Sequence, residues 1–211
     1  MANSAQLIIV ASDGTLNADV ENGVQSPDDW QPLPGALEAV ARLNQAGWRV
    51  VVVTNQPGLG RGLFGVDTLH AIHTRMHRLV GEAGGRIEAV FFCPHSPTEA
   101  CNCRKPRPGL ALGVAERYGI PLQGVPMVGD SLEDIQAAVA AGCTPHLVLS
   151  GMAGSGAAPG GVLPAGWPEG VAVHRDLAAF ADVLLAATPP PAASSTSALS
   201  LIHISEPTRL R

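Results

Sequence analysis

Aromatic residues make up only 4% of the 211-residue chain, and lysine is almost missing: of 13 basic residues, 12 are Arg and one is Lys. With 18 acidic residues, the net charge is −5. Such a chain has neither the positive field that attracts a phosphate backbone nor enough rings to stack bases, so no nucleic-acid partner is expected. Long apolar runs are missing too. The longest early one, Leu7–Ala11, is too short to span a bilayer or to form the core of a signal peptide. No membrane partner is expected, and the reading is a soluble, cytoplasmic monomer. The length suits one hydrophobic core that holds without disulfide staples.

Cysteine is scarce as well. There are four, three of them between Cys93 and Cys103, with Cys143 far away. Thiols this close together in such a chain suggest metal rather than a disulfide framework. Cys93-Pro94-His95 is followed, five residues on, by Cys101-Asn102-Cys103. Three thiolates and one imidazole suit tetrahedral Zn²⁺ with no position left for water, so the ion would be structural. Cys143 reads as a small buried residue. His70, His73 and His77 lie at helical spacing and read as one polar helix face. The lone lysine, Lys105, is a candidate for contacting a phosphate as a point charge where a planar guanidinium would not fit; chance survival on the surface is the alternative.

Short β-rich runs alternate with stretches of helical periodicity. The strands are expected at Leu7–Ala11, Arg49–Thr54, Glu88–Phe92, Val125–Val128, His146–Leu149 and Val171–Val173. Helices are expected at Ala36–Ala46, Val66–Ala83, Gly109–Tyr118, Leu132–Ala141 and Leu177–Ala186, with Gly47 and Gly142 closing two of them. This alternation predicts an α/β, three-layer Rossmann-like fold around a central parallel sheet. Two proline-bearing excursions, 17–35 and 93–108, interrupt it. Residues 1–187 are expected to be one folded unit. Residues 188–211 open with Thr-Pro-Pro-Pro and continue in Ala, Ser and Thr, a composition that buries no core. This tail is expected to be disordered, and its end, LIHISEPTRLR, resembles translated sequencing-adapter read-through and is expected to be non-native.

Ligands of open parallel sheets bind beyond the carboxyl ends of the strands. Ala11-Ser12-Asp13-Gly14-Thr15 follows the first strand, and Thr54-Asn55-Gln56 closes the second. Arg104-Lys105-Pro106 lies beyond the cysteine segment, and Gly129-Asp130-Ser131 with Asp134 follows the fourth strand. Carboxylates suit Mg²⁺, while Thr, Asn, Arg and Lys suit the oxygens of a phosphate. Any one set could be a turn or a cap; four at successive strand ends indicate phosphate chemistry.

These residues carry a family resemblance. SDGTLNAD, SPDDWQPLPGA, VTNQPGLGRGLF, CPHSPTEACNCRKPRPG and VGDSLEDIQAAVAAG resemble the haloacid-dehalogenase superfamily of phosphohydrolases. Within it they are similar to the D-glycero-D-manno-heptose 1,7-bisphosphate 7-phosphatases. Histidinol-phosphate phosphatases, with a similar zinc loop, are the enzymatic alternative. The resemblance implies a haloacid-dehalogenase-type fold without a large cap domain. It also implies a Mg²⁺-dependent hydrolase that removes the 7-phosphate from a small phosphorylated sugar in lipopolysaccharide precursor synthesis. In the family motif Asp-x-Asp-x-Thr, the first carboxylate attacks phosphorus and the second is the general acid/base. Asp13 matches the second. Thr54 and Lys105 match the groups that hold the phosphoryl, and Asp13 and Asp130 the Mg²⁺ ligands. Asp19, Asn55, Gln56, Arg104 and Lys105 fall at substrate-contacting positions. Asp134 matches a residue behind Asp130, or a partner for Lys105.

The first position of the motif is Ala11. A methyl group neither attacks phosphorus nor ligates magnesium. Ser12 is no substitute, because successive strand side chains point to opposite faces. Pro57, where the family usually has a small polar residue, is a milder departure. An engineered trapping variant, a natural non-catalytic phosphosugar-binding pseudoenzyme and a sequence error all account for Ala11.

Overall fold

β1 (Leu7–Ala11) is apolar and buried at every position, which requires cover on both of its faces. The computed structural model describes residues 6–20, 23–151, 158–161 and 163–187; the expected tail 188–211 lies outside them. β1 pairs with β2 (Arg49–Asn55) on one side and β4 (Pro126–Gly129) on the other. β3 (Ile87–Cys93), β5 (Thr144–Val148) and β6 (Ala172–His174) complete the order β3-β2-β1-β4-β5-β6, with all pairings parallel.

Side-chain alternation divides the core into two layers. Ile8, Val10, Val50 and Val52 pack with Leu37 and Val40 of α1 (Ala36–Gln45), Ile72 and Met76 of α3 (Val66–Glu82), and Phe180 of α6 (Leu177–Ala187). Leu7, Ile9, Val51 and Val53 pack on the other face with Leu110 and Val114 of α4 (Gly109–Tyr118) and Ala137 and Ala138 of α5 (Leu132–Ala141). Cutting a fully buried residue such as Ile9 to Ala costs about 2–5 kcal/mol, so the sheet that carries the site is held firmly by its core.

Most element ends lie within one residue of the sequence reading. Two differences are informative. β5 begins at Thr144 and includes Pro145. β6 pairs with β5 only from His146 onward, so the proline sits where β5 has one neighbour and its missing N–H is tolerated. A four-residue helix, α2 (Pro57–Gly60), was not legible, since so short a segment has no periodicity. Pro57 starts it, where a missing N–H is harmless. The excursion after β1 folds back through a 3-10 turn at Pro27–Asp29 and buries Trp30. No described helix is long and apolar enough to cross a membrane.

Candidate active site

After Ala11, which is buried, the chain turns sharply. The Ser12 carbonyl accepts the N–H groups of Thr15, Leu16 and Asn17, and Gly14 adopts φ +68°. Ser12 itself is buried and donates its hydroxyl to Asn17 Oδ1 at 2.7 Å. Asp13 is held by both oxygens: Oδ1 accepts from Asn17 Nδ2 at 2.9 Å, and Oδ2 from Thr54 Oγ1 at 3.3 Å. Burial raises its pKa, an effect the Asn17 bond and the Lys105 charge partly offset. Thr54 in turn accepts from Gln56 Nε2 at 3.2 Å.

The loop beyond β3 meets the end of β2 at Asn55. Its Oδ1 accepts the Lys105 N–H at 3.1 Å and its Nδ2 donates to the Lys105 carbonyl at 3.3 Å. Both ends of the amide expected to contact substrate are therefore occupied by the neighbouring loop. Lys105 is buried, and its ammonium is ion-paired with Asp134. Burial opposes that charge, yet Asp134, with Asp13 and Asp130 nearby, holds the Lys105 pKa above its ordinary value. Asp134 is fixed by α5: its Oδ2 accepts the Ser131 hydroxyl at 2.7 Å, while its N–H donates to Ser131 Oγ at 3.2 Å. This reciprocal cap sets the start of the helix and aims its first-turn carboxylate at once.

Asp130 sits between two glycines. A Cβ on Gly14 would lie 2.1 Å from its Oδ2, and one on Gly151 1.9 Å. Ser150 Oγ closes the same junction by donating to the Gly14 carbonyl at 2.8 Å. Burial, and then the charge of Asp134, push Asp130 up to about 7. A carboxylate so destabilised fits a hard, oxygen-seeking cation. Asp13 is the other carboxylate here, but both its oxygens are engaged by Asn17 and Thr54, and Ala11 adds none.

Asp19 is exposed, and its charge reaches both Asp13 and Asp130. Arg104 Nη1 is buried and has no partner among the described residues. Asp13, Thr54, Lys105 and Asp130 thus gather at one sheet mouth. Behind them, His73 departs from the sequence reading. His70 and His77 are exposed, but His73 turns inward against Phe92 and lines a cavity of about 10 Å³ with Asp13, Thr54 and Gln56. Burial pushes it down to about 4.

The donor atoms of Cys93, His95, Cys101 and Cys103 all lie within 4.8 Å of one another. Cys93 Sγ is 3.8 Å from Cys101 Sγ, 3.2 Å from Cys103 Sγ and 3.4 Å from His95 Nδ1. Zn–S bonds of about 2.3 Å in a tetrahedron imply S···S edges of about 3.8 Å, so the group could hold such an ion with small adjustments. Cys143 is buried elsewhere, in the layer beneath α4 and α5.

The model of a family of hydrolases, the haloacid dehalogenase-like hydrolases, matches residues 5–142. The chain belongs to this family. Among curated proteins it is 52% identical over 180 residues to the D-glycero-beta-D-manno-heptose-1,7-bisphosphate 7-phosphatase of Bordetella bronchiseptica, covering 85% of this chain and 98% of that protein. The enzyme of the same name from Pseudomonas aeruginosa is 43% identical over 184 residues, covering 86% and 99%. A crystal structure of the B. bronchiseptica phosphatase, complexed with magnesium and phosphate, superimposes with a TM-score of 0.82 at 50% identity, covering 87% of this chain and 99% of that one. The corresponding phosphatase of Burkholderia thailandensis gives a TM-score of 0.66 at 44% identity, covering 85% and 98%.

Sequence reasoning had passed over several residues of this hydrolase site. Asn17 gave a faint signal, a polar residue four after Asp13, at a distance a turn can close. Gly151 and Ser150 gave none, since only the sheet brings the end of β5 beside Asp130.

Proposed function

We propose that this protein is built on the plan of a magnesium-dependent phosphatase of a phosphorylated heptose, acting on the 7-phosphate of D-glycero-D-manno-heptose 1,7-bisphosphate. The observation that carries the reading is the convergence of Asp13, Thr54, Lys105 and Asp130 at one sheet mouth, in a chain covering 98% of a relative of that name at 52% identity. The names of the relatives favour the heptose over histidinol phosphate.

The Lys105 ammonium holds the phosphoryl oxygens, while the Thr54 hydroxyl gives its one proton to Asp13 Oδ2. Arg104, whose buried Nη1 has no acceptor among the described residues, takes a further oxygen of the substrate, and Asp19 and Gln56 border the sugar. Asp130 would hold magnesium, which would offset the charge of bringing a carboxylate to a phosphate. The Asp13 carboxyl, with both oxygens engaged by Asn17 and Thr54 and a proton to deliver, is left free of the ion. With a carboxylate at position 11, that group attacks phosphorus while the bond to the sugar oxygen breaks. Asp13 protonates the departing alkoxide. It then takes a proton from the water that splits the acyl phosphate, and orthophosphate leaves. Ala11 has no lone pair to begin this sequence, so the chain as written binds phosphosugar without turning it over. Zinc held by Cys93, His95, Cys101 and Cys103 would pin the loop that presents Arg104 and Lys105. Thiols kept reduced for that ion suit a cytoplasmic setting.

The test is phosphate release from heptose bisphosphate and from histidinol phosphate by the chain and by its Ala11→Asp variant. Loss of such a nucleophile costs on the order of 10⁶ in turnover. The variant should be active on the heptose ester and the parent near background. Strong turnover by the parent, or preference of the variant for histidinol phosphate, contradicts the reading.

A further inference from the structure

We propose that Asn17 is the positioning residue of Asp13, and that Ser12 is the anchor that fixes Asn17. The inference rests on Asp13 being the proton-transfer group of the proposed reaction. Its geometry is independent of that role.

Asn17 is completely buried, in a turn whose backbone is tied at both ends: its N–H reaches the Ser12 carbonyl at 3.2 Å and its carbonyl accepts the Gly14 N–H at 2.8 Å. The side chain is more constrained still. Oδ1 accepts the Ser12 hydroxyl, while Nδ2 donates to Asp13 Oδ1 at 2.9 Å and to the Ala18 carbonyl at 3.0 Å. Those contacts fix which way round the amide lies. Flipped, its oxygen would face a carboxylate and a carbonyl, two acceptors that offer no proton. Buried polar groups left this way are costly, so the orientation is determined by three partners.

The consequence falls on Asp13. With Asn17 gripping Oδ1 and Thr54 gripping Oδ2, the carboxyl plane is pinned from two strand ends. A single bond would leave the carboxyl free to turn about its last torsion, which is broad for this side chain. Proton transfer to a departing oxygen depends on that orientation. Phosphate binding, carried by Lys105, does not. The chain also has a reason to keep Ser12: without the hydroxyl, Asn17 Oδ1 loses the one donor it has among the described residues.

Two measurements on the full-length protein test this. In the unmodified chain, NMR should show the Asn17 side-chain amide proton shifted downfield and slow to exchange. Asp13→Ala should remove both features, and Ser12→Ala should weaken them. An Asn17 amide resonance indifferent to Asp13→Ala overturns the proposal. In the Ala11→Asp background, Asn17→Ala should lower kcat about tenfold or more while KM stays within about twofold. Ser12→Ala should do the same more mildly, and adding it to Asn17→Ala should change kcat little further, since both act through one contact. A loss confined to KM, or additive losses, overturns the proposal, and Ser12→Ala supplies this readout if Asn17→Ala fails to fold. An inactive Ala11→Asp protein would count against the phosphatase reading alone, leaving the amide measurement to decide on Asn17.

Discussion

The side-chain amide of Asn55 brackets the backbone of Lys105, accepting its N–H at 3.1 Å and donating to its carbonyl at 3.3 Å. The last residue of a central strand thereby fixes the one lysine of the chain. In the Ala11→Asp background, Asn55→Ala should therefore weaken competitive inhibition by orthophosphate about tenfold, the order expected for two lost bonds in a buried site. Metal content should not change. Unaltered phosphate inhibition would show that Lys105 is placed by other contacts.

Lys105→Arg should be poorly tolerated in the same background. The ammonium is buried against Asp134, and a planar fork neither fits that space nor acts as a point charge. Steady-state kinetics should show loss in both kcat and KM. Near-normal kinetics would mean the pocket has room for guanidinium.

Elemental analysis of protein purified without chelator should find about one zinc per chain. Cys101→Ser should lower both zinc content and thermal stability, because zinc on the four donors would tie the loop from Cys93 to Lys105 together. Absence of zinc, or a Cys101→Ser protein with unchanged melting, would contradict this.

Acid should destabilise the sheet edge. His146 Nδ1 and His174 Nε2 lie 3.1 Å apart, sealed by Phe180. Burial pushes His146 down to about 4 and lowers His174 as well, from an ordinary 6.5. The unfolded chain therefore takes up protons first as pH falls. Stability is fully present above about pH 6.5 and is lost towards pH 4. Melting temperature should fall by about 5 °C or more between pH 6.5 and 4.5, and His146→Gln should flatten that slope. A slope that is the same in His146→Gln would rule the pair out as its source.

Gly14→Ala should weaken magnesium binding more than it weakens folding. The new Cβ would meet Asp130 at 2.1 Å in a residue held at φ +68°, so the carboxylate must move. Calorimetric titration with Mg²⁺ checks this, with an unchanged affinity as the contrary outcome.

The alternation of apolar runs and helical periodicity was enough to state the layers, the parallel sheet and nearly all element positions. Each rests on local spacing, which a linear chain displays. The cysteine and histidine pairs were legible for the same reason, being confined to Cys93–Cys103. So was the substitution at Ala11, since a motif position is read off directly. What tertiary structure alone decided is the company each residue keeps. Gly151 lies against Asp130 because β5 and β4 are neighbours. His73 turns towards Asp13 because α3 packs behind β2, and Asn55 faces a residue fifty positions away because the loop after β3 folds back onto β2. Spacing along the chain carries the periodicity of single elements. The contacts between elements depend on strand order and on the path of the connecting loops, which no local pattern encodes.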